Sequence, residues 1–179
     1  KLLNLKQLPI KMTSYTPCFR REAGSYGSDV RGLNRLHQFD KVEIVRIENH
    51  ECSYDALGKM LNHVKKLLHS LELPYRILNL CGGDLGFTSA ITYDFEIFSS
   101  AQNKWLEVSS VSNFETFQSI RLKLKYKDIN GKNQFAHTLN GSSLALPRVM
   151  AGILENNQTN DSIKIPKVLI PYTDFKLIN

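Results

Sequence analysis

The sequence predicts an α+β fold, in which helices flank an antiparallel β-sheet. Segments of strand character follow one another through short turns, as Ile91–Ser99 and Lys104–Ser109 do across loop 100–103. Few helices separate these strands, whereas a parallel sheet needs a long crossover after each strand. The chain also lacks G-x-G-x-x-G and G-x-x-x-x-G-K-[ST], the glycine signatures of parallel nucleotide-binding sheets.

The composition is that of an ordinary globular domain. The chain has 179 residues, of which 42% are hydrophobic and 22% charged, and this length suffices for one domain with a core. No apolar run approaches the roughly 18 residues of a membrane-spanning helix, and we expect no signal peptide. Cys18, Cys52 and Cys81 form no C-x-x-C pair, so neither a zinc site nor a disulfide framework is indicated. We therefore expect a cytoplasmic protein, and its net charge of +6 favours a polyanionic partner.

The first predicted elements are two strands and a helix. Ile10–Phe19 and His37–Glu48 have the β-branched content of strands. Ser53–Leu71 carries apolar residues at three- and four-residue steps, which predicts a helix that covers a sheet. Ser53 is expected to cap the first turn of this helix, and Pro74 is expected to end it.

The later elements are predicted from alternation and from turn signals. Phe114–Ile120 is either a short helix or an irregular crossover, and Asn130-Gly131 marks a hairpin. A last helix is predicted from about Ser143 to Glu155, followed by an irregular tail over Ile163–Asn179. The remaining strands are expected at Tyr75–Leu80, Ile91–Ser99, Lys104–Ser109, Leu122–Lys127 and Gln134–Leu139.

The connection between the first two strands predicts a site for a polyphosphate. Its glycines let backbone amides approach an anion closely, and its arginines bind phosphate oxygens in a bidentate way. The glycines are Gly24, Gly27 and Gly32, and the arginines are Arg20, Arg21, Arg31 and Arg35.

The strand after this loop carries a carboxylate. With a period of two, Glu43 shares one face with Phe39 and Lys41, followed by Val45 and Ile47. A carboxylate there is costly unless it pairs with a cation or accepts hydrogen bonds. A salt bridge to Lys41, an exposed edge and a functional role all remain open from the spacing alone.

Three motifs resemble those of the seryl-tRNA synthetases, which are class II aminoacyl-tRNA synthetases. TPCFRREAGSYG and RGLNRLHQFDKVE together resemble the second class II signature. YDFE with WLEVSSVSN, and then HTLNGSSLALPR, follow in the family's order and extend the resemblance over nearly the whole chain. The resemblance implies that residues 1–179 are the C-terminal portion of a class II catalytic domain, without the coiled-coil arm and motif 1. Motif 2 would lie at about 16–48 and motif 3 at about 140–155.

The same resemblance implies a function. It implies activation of L-serine with ATP to seryl-adenylate, followed by transfer of serine to the 3′ end of tRNA(Ser). ATP would be a substrate and Mg²⁺ the metal ion, and the full-length parent would be a homodimer without membrane attachment. We expect the segment alone to be inactive in charging tRNA. The alternative is a catalytically idle paralogue that serves as an RNA-binding or regulatory module.

The positions that match the family's motifs are the candidate site residues. Arg20 would hold the ATP α-phosphate and the amino-acid carboxylate, and Arg148 the γ-phosphate, which makes them the candidate catalytic residues. Glu22 would accept from the adenine amino group, and Phe39 would stack on the adenine ring. Arg35 would meet the outer phosphates or the tRNA end. The other candidate ATP contacts are Arg21, Glu107, Val108, Ser109 and Ser110.

Serine and the metal ion are assigned in the same way. Serine would lie against Arg20, Glu43, Asn140 and Ser142, where Glu43 has the right charge for an ammonium group. Glu107 and Ser110 would bind Mg²⁺ through hard oxygen atoms. Regular alternation turns these two side chains to opposite faces of a strand, so a bulge or the strand's end is required near Ser109.

The environment of Arg148 supports a phosphate ligand. The positions three and four residues away hold no acid, although a distant carboxylate remains open. Pro147 is tolerated only in the first turn of a helix, so the helix should begin near Leu144. Gly152 predicts close packing of that helix against a neighbour.

Overall fold

The computed structural model describes residues 1–21 and 32–179 of the chain. Its helices are α1 (Ser53–Ser70), α2 (Phe117–Arg121), α3 (Leu146–Asn156) and α4 (Ile170–Thr173). Its strands are β1 (Leu2–Asn4), β2 (Ile10–Phe19), β3 (Gln38–Glu48), β4 (Tyr75–Asn79), β5 (Ile91–Ser99), β6 (Lys104–Asn113), β7 (Lys125–Lys127), β8 (Asn133–Phe135), β9 (His137–Ala145), β10 (Ile163–Lys164) and β11 (Leu177–Ile178). Six of these strands form an antiparallel sheet in the order β2-β3-β9-β6-β5-β4, as the α+β prediction requires.

Helices α1 and α3 cover one face of this sheet. Their apolar residues join those of the central strands in one buried core, which includes Leu68 of α1, Phe95 of β5 and Ile153 of α3. The packing at α3 is tight, because a β-carbon at Gly152 would overlap the Cδ1 atom of Ile97. The close approach predicted from this glycine is confirmed.

The opposite face of the sheet is polar. Alternation along β5 and β6 places Thr92 and Asp94 on this face, paired with Ser112 and Ser110. The hydroxyl oxygens of Thr92 and Ser112 lie 2.7 Å apart. The sheet therefore separates an apolar core from a polar floor.

Two smaller sheets complete the described part of the fold. β1 pairs parallel with β7, which pairs antiparallel with β8. Leu3, Leu124, Tyr126 and Ala136 are the buried residues of the cluster beneath them. β10 pairs antiparallel with β11 over two residues each, so the tail that was predicted to be irregular contains a short strand pair with helix α4 between its strands.

Most elements lie where the sequence predicts them. β2 and β5 have the predicted bounds, and β3, β4 and α1 differ by one residue at one end. The short helix α2 overlaps the predicted segment Phe114–Ile120 and ends one residue beyond it, and the Asn130-Gly131 turn joins β7 to β8. Within residues 1–21 and 32–179, no helix is long and apolar enough to cross a membrane.

Ser53 is not the cap of α1, contrary to the prediction. It already has helical dihedral angles, and its hydroxyl donates to the carbonyl of His50 at 3.3 Å. The N-cap residue of α1 is Cys52, which makes no side-chain cap hydrogen bond. The side chain of Asn49 instead caps the 3-10 turn His50–Cys52 that leads into α1, where it accepts from the amide of Cys52 at 2.9 Å.

Other predicted bounds are wrong because pairing across the sheet overrides the local pattern. β6 continues beyond Ser109 because it pairs with β5 as far as Asn113. β9 keeps residues 143–145 in the sheet, where Ala145 pairs with Lys41. As a result α3 begins at Leu146 rather than near Leu144, with Pro147 in its first turn as expected.

The strand predicted at Leu122–Lys127 is reduced to β7. Leu122 closes α2, and Lys123 has a φ of 50°, a left-handed conformation that interrupts an extended strand. The strand predicted at Gln134–Leu139 is divided between β8 and β9, which belong to different sheets.

Candidate active site

A pocket opens on the polar side of the sheet, where β3, β6 and β9 meet the first turn of α3. It gathers the cations Arg20, Lys41 and Arg148 around the carboxylate of Glu107 and the ring of Phe39. Its other described lining residues are Leu33, Asn34, Leu36, Val108, Ser142, Ala145 and Pro147. A pocket with three cations and one aromatic face suits a ligand with an anionic part and a planar part.

Pairing of β2 with β3 brings Arg20 to Phe39. The amide of Arg20 donates to the carbonyl of His37 at 2.8 Å, which continues the pairing beyond the end of β2. The guanidinium carbon of Arg20 lies 4.8 Å from the centre of the Phe39 ring, in a cation–π contact. Both predicted residues therefore lie in one pocket.

The structure describes only part of the rest of the predicted phosphate loop. Glu22 lies outside the described residues, as do Gly24, Gly27 and Arg31. Arg21 and Arg35 are exposed and do not line the pocket.

Arg148 points from the first turn of α3 into the pocket. Its Nε donates to the carbonyl of Asn34 at 2.9 Å, and its Nη1 donates to the carbonyl of Glu107 at 2.6 Å. Burial lowers the pKa of Arg148, the carboxylate of Glu107 opposes that change, and Arg20 and Arg35 reinforce it. Among the described residues its hydrogen bonds go to backbone carbonyls rather than to a carboxylate. Its charge can therefore still interact with an anion.

A β-bulge turns Glu107 and Ser110 to the same face of β6. Glu96 pairs with Glu107, whereas Phe95 pairs with Ser109, so one residue of β6, Val108, is additional. Alternation restarts after this buried residue, and Ser110 then faces the same side as Glu107. The irregularity predicted near Ser109 is thus present. Ser109 itself is turned away, since its hydroxyl donates to the carbonyl of Ser142 at 2.5 Å.

The sequence prediction misses Asp94, which pairs with Ser110 on the polar face. The Oδ1 atom of Asp94 is buried and has no hydrogen-bond partner within the described structure. Burial raises the pKa of Asp94, and Glu96 adds to the rise, while a hydrogen bond with Ser110 opposes it. Burial also raises the pKa of Glu107, and repulsion from Asp94 raises it further. The sequence YDFE could have indicated this residue, because alternation along a strand places Asp94 and Glu96 on one face.

These groups have the chemistry of a magnesium site. Asp94, Glu107 and Ser110 offer hard oxygen atoms, and a buried carboxylate oxygen without a partner would be satisfied by a cation. No three His, Cys, Asp or Glu side chains of the described ranges are grouped as a complete metal cage. Mg²⁺ is commonly held by one or two carboxylates together with substrate phosphates, so the residues fit an ion that arrives with a polyphosphate.

Glu43 forms the salt bridge that the sequence left open. The Nζ of Lys41 lies 3.1 Å from Oε2 of Glu43, and the hydroxyl of Ser142 donates to the same oxygen at 3.3 Å. Asn140 lies two residues before Ser142 on β9 and is half-buried, opposite Val45. This end of the site offers a carboxylate, a hydroxyl and an amide, which can together bind an ammonium group and a hydroxyl group.

Lys41 is a second site residue that the sequence analysis did not select. It lines the pocket and pairs with Ala145, the residue before α3. Its position between Phe39 and Glu43 on one strand face was the available signal, and it was interpreted only as a partner for Glu43.

The chain is similar to serine–tRNA ligases along nearly its whole length. Those of Chromobacterium violaceum and Salinibacter ruber are 56% identical to it over 172 and 180 residues. These matches cover 96% and 99% of this chain, but 40% and 42% of the two relatives. The chain thus spans about two fifths of the length of the curated relatives it matches.

Solved structures agree with the sequence comparison. The seryl-tRNA synthetase of Pyrococcus horikoshii complexed with ATP superposes with a TM-score of 0.94 at 41% identity, over 99% of this chain and 40% of that one. The cytoplasmic serine–tRNA ligase of Naegleria fowleri in complex with AMP gives 0.92 at 32% identity, over 100% and 43%. The model of the tRNA synthetase class II core domain (G, H, P, S and T) matches residues 1–157. With its antiparallel sheet and its cationic pocket on the polar face, the chain belongs to the class II tRNA synthetase core-domain family.

Proposed function

We propose that the chain is the C-terminal catalytic part of a serine–tRNA ligase. The parent protein would join L-serine to ATP as seryl-adenylate and then transfer serine to the 3′ end of tRNA(Ser). The observation that carries this proposal is the gathering of Arg20, Phe39, Glu107 and Arg148 in one pocket. The names of the relatives and the ATP and AMP complexes among similar structures support it.

The first step would join two anions. A carboxylate oxygen of serine attacks the α-phosphorus of ATP, the bond from that phosphorus to the bridging oxygen breaks, and pyrophosphate leaves. Arg20 would lie between the carboxylate and the α-phosphate, where its charge lowers their repulsion and stabilises the transition state. Arg148 would hold the γ-phosphate, and Phe39 would support the adenine ring.

The metal ion proposed for this step is Mg²⁺. When bound, Mg²⁺ neutralises phosphate charge and helps to orient the leaving group. Glu107 and Ser110 would hold it, with Asp94 beside them as an additional oxygen donor. Because the carboxylates of Asp94 and Glu107 repel each other, binding of a cation by these residues would be favourable.

Serine recognition would use the end of the site around Glu43. The carboxylate of Glu43 would bind the ammonium group, and Ser142 and Asn140 would contact the substrate's polar groups. A site that hydrogen-bonds a hydroxyl rejects analogues that lack it, since its own polar groups are then left unpaired. This would favour serine over alanine.

The partners follow from the same proposal. They are tRNA(Ser), L-serine and ATP, and the parent is expected to act as a homodimer in the cytoplasm. A catalytically idle paralogue is not favoured, because the pocket retains Arg20, Glu107 and Arg148 together.

Serine-dependent exchange between ATP and labelled pyrophosphate tests the proposal directly. The intact parent chain should exchange with serine at a rate at least ten times that with alanine or threonine, and exchange should require Mg²⁺. Absence of exchange at saturating serine, in a protein that still binds ATP, would overturn the proposed activity.

A further inference from the structure

We propose that Lys41 is a catalytic residue whose contact changes when the substrate binds, from Glu43 to the reacting anions. The inference rests on the proposed function and extends it by one residue. In the free site Lys41 pairs with Glu43, and in the loaded site it contacts the substrate carboxylate and the α-phosphate.

The first observation is that Lys41 occupies the place of a substrate group. Its ammonium nitrogen lies 3.1 Å from Oε2 of Glu43, the oxygen that also accepts from Ser142. An amino-acid ammonium bound to Glu43 would meet Lys41 at close range. Because like charges repel strongly in a partly buried site, the substrate would displace Lys41 from this oxygen.

The second observation is where a displaced Lys41 can go. It lines the same pocket as Arg20 and Arg148, and its backbone pairs with Ala145, immediately before α3. The first turn of α3 has no side-chain cap, and the N-terminal end of a helix carries a partial positive charge, which adds to the positive potential there. The side chains of Lys41 and Glu43 are about a third and a quarter exposed, at 30% and 25%, so the pair is accessible to an entering ligand.

These positions define a role in the reaction. As the serine carboxylate attacks the α-phosphorus and pyrophosphate leaves, negative charge spreads over the α-phosphoryl oxygens. Lys41 would add a cation next to Arg20 at that moment, and no proton or electron has to be exchanged with it. Binding of the amino acid would thus release the cation that the next step needs.

The test uses the intact parent chain and three variants. Lys41→Met removes the charge, Lys41→Arg keeps it, and Lys66→Met removes an exposed lysine of α1 as a matched control. Pyrophosphate exchange is measured with varied serine at saturating ATP and Mg²⁺. The rate is divided by the concentration of active sites, which is measured from the burst of adenylate formation. Misfolded protein then does not lower the apparent kcat.

We expect Lys41→Met to lower kcat by about 10²-fold without raising the KM for serine, since a transition-state contact is lost and a competitor for Glu43 is removed. Lys41→Arg should have a kcat at least tenfold higher than that of Lys41→Met, and Lys66→Met should match the wild type. A raised KM for serine with unchanged kcat would show that Lys41 only holds Glu43, and would overturn the inference. Wild-type kinetics in Lys41→Met would overturn it too. Absence of exchange in the wild type would instead overturn the proposed function on which the inference rests.

Discussion

Burial disfavours the charged form of three side chains at the site, two of them in the pocket and the third, Asp94 of β5, beside Ser110. Burial raises the pKa of Asp94 and of Glu107, and it lowers the pKa of Arg148. Ligands of opposite charge would relieve each of them, a cation for the carboxylates and a phosphate for the arginine. Groups placed for binding therefore reduce the stability of the protein before it binds.

At the scale of single residues, Arg148 should be required for chemistry more than for folding. We expect Arg148→Ala in the intact parent to slow adenylate formation by about 10²-fold or more, because a charge that stabilises phosphate is lost. Arg20→Ala should act in the same way. Serine-dependent pyrophosphate exchange measures the rate, and thermal unfolding shows that the variants are folded. Arg121→Ala removes an exposed guanidinium of α2 and serves as the control. Wild-type exchange in a folded Arg148→Ala protein would refute its assignment.

Replacement of Asp94 is expected to raise the stability of the folded protein. Its folded pKa lies above its ordinary value of 3.8, so ionising it costs more free energy in the folded state than in the unfolded state. This penalty is present at neutral pH and disappears once the pH falls below the unfolded value. Asp94→Asn should therefore raise Tm at pH 7 without divalent cations, and the gain should vanish near pH 3.

Scanning calorimetry at the two pH values measures this effect. Asp161→Asn, at an exposed position before β10, is the control and should leave Tm unchanged. A Tm for Asp94→Asn at or below that of the wild type at pH 7 would contradict the prediction. Binding of Mn²⁺ in the presence of ATP should be weaker in the same variant.

At the scale of elements, the bounds that follow from a hydrophobic period within the element's own sequence were predicted. The bounds that depend on pairing with a distant strand were not. The apolar steps of α1 lie within its own sequence, so its bounds differ by one residue at the C-terminal end. The start of α3 depends on Ala145 pairing with Lys41, a contact across more than a hundred residues that local patterns do not contain. The role of Asp94 likewise depends on the register of β5 against β6. The bulge at Val108 was anticipated only because the metal assignment needed Glu107 and Ser110 together.

The packing of α3 on β5 gives a prediction for one glycine. In Gly152→Ala the new methyl would overlap Cδ1 of Ile97, whose side chain is fully buried and would have to shift within the core. We expect the free energy of unfolding to fall by about 1–3 kcal/mol, as is typical of overpacking. Urea denaturation measures the change.

Two further variants separate the overlap from other effects. Gly58→Ala lies within α1 where a β-carbon meets no atom within 4 Å, so it should stabilise by about 0.5–1 kcal/mol through helix propensity. Ile97→Val removes the overlapping atom and should make Gly152→Ala much less costly than in the wild type. Equal costs in the two backgrounds would show that the overlap is not the cause.

At the scale of the whole molecule, β2 is an exposed edge. It is the first strand of the main sheet, and Met12, Tyr15 and Phe19 are 49%, 64% and 72% exposed along it. A long edge strand with apolar side chains can pair with another chain.

Residues 1–179 produced alone should therefore self-associate. We expect the apparent mass in size-exclusion chromatography to rise with concentration, and Tyr15→Lys to reduce that rise because a charge on an edge strand opposes pairing. Asn62→Lys, at an exposed position of α1, adds the same single charge as a control and should leave the association unchanged. A monomer at all concentrations would contradict the prediction.

The same segment should bind ATP with Mg²⁺ but fail to charge tRNA. It contains the pocket of Arg20, Phe39, Glu107 and Arg148, yet it spans about two fifths of the relatives' length. Calorimetric titration with ATP and a charging assay with tRNA(Ser) measure the two activities. Robust charging by the segment would show that the pocket needs far less of the parent than we propose.

The bulge at Val108 makes the site depend on the backbone of β6 as well as on its composition. Replacement of Val108 by another apolar residue that keeps the bulge would leave Glu107 and Ser110 on one face. These two residues are three apart, so a strand of the same length without the bulge would turn their side chains to opposite faces of the sheet. A substitution at Val108 that favours a regular strand could thus cost the protein its metal site while every candidate ligand is still present. The pairing of β6 with β5 that holds the bulge is therefore as much a part of the metal site as the oxygen atoms themselves.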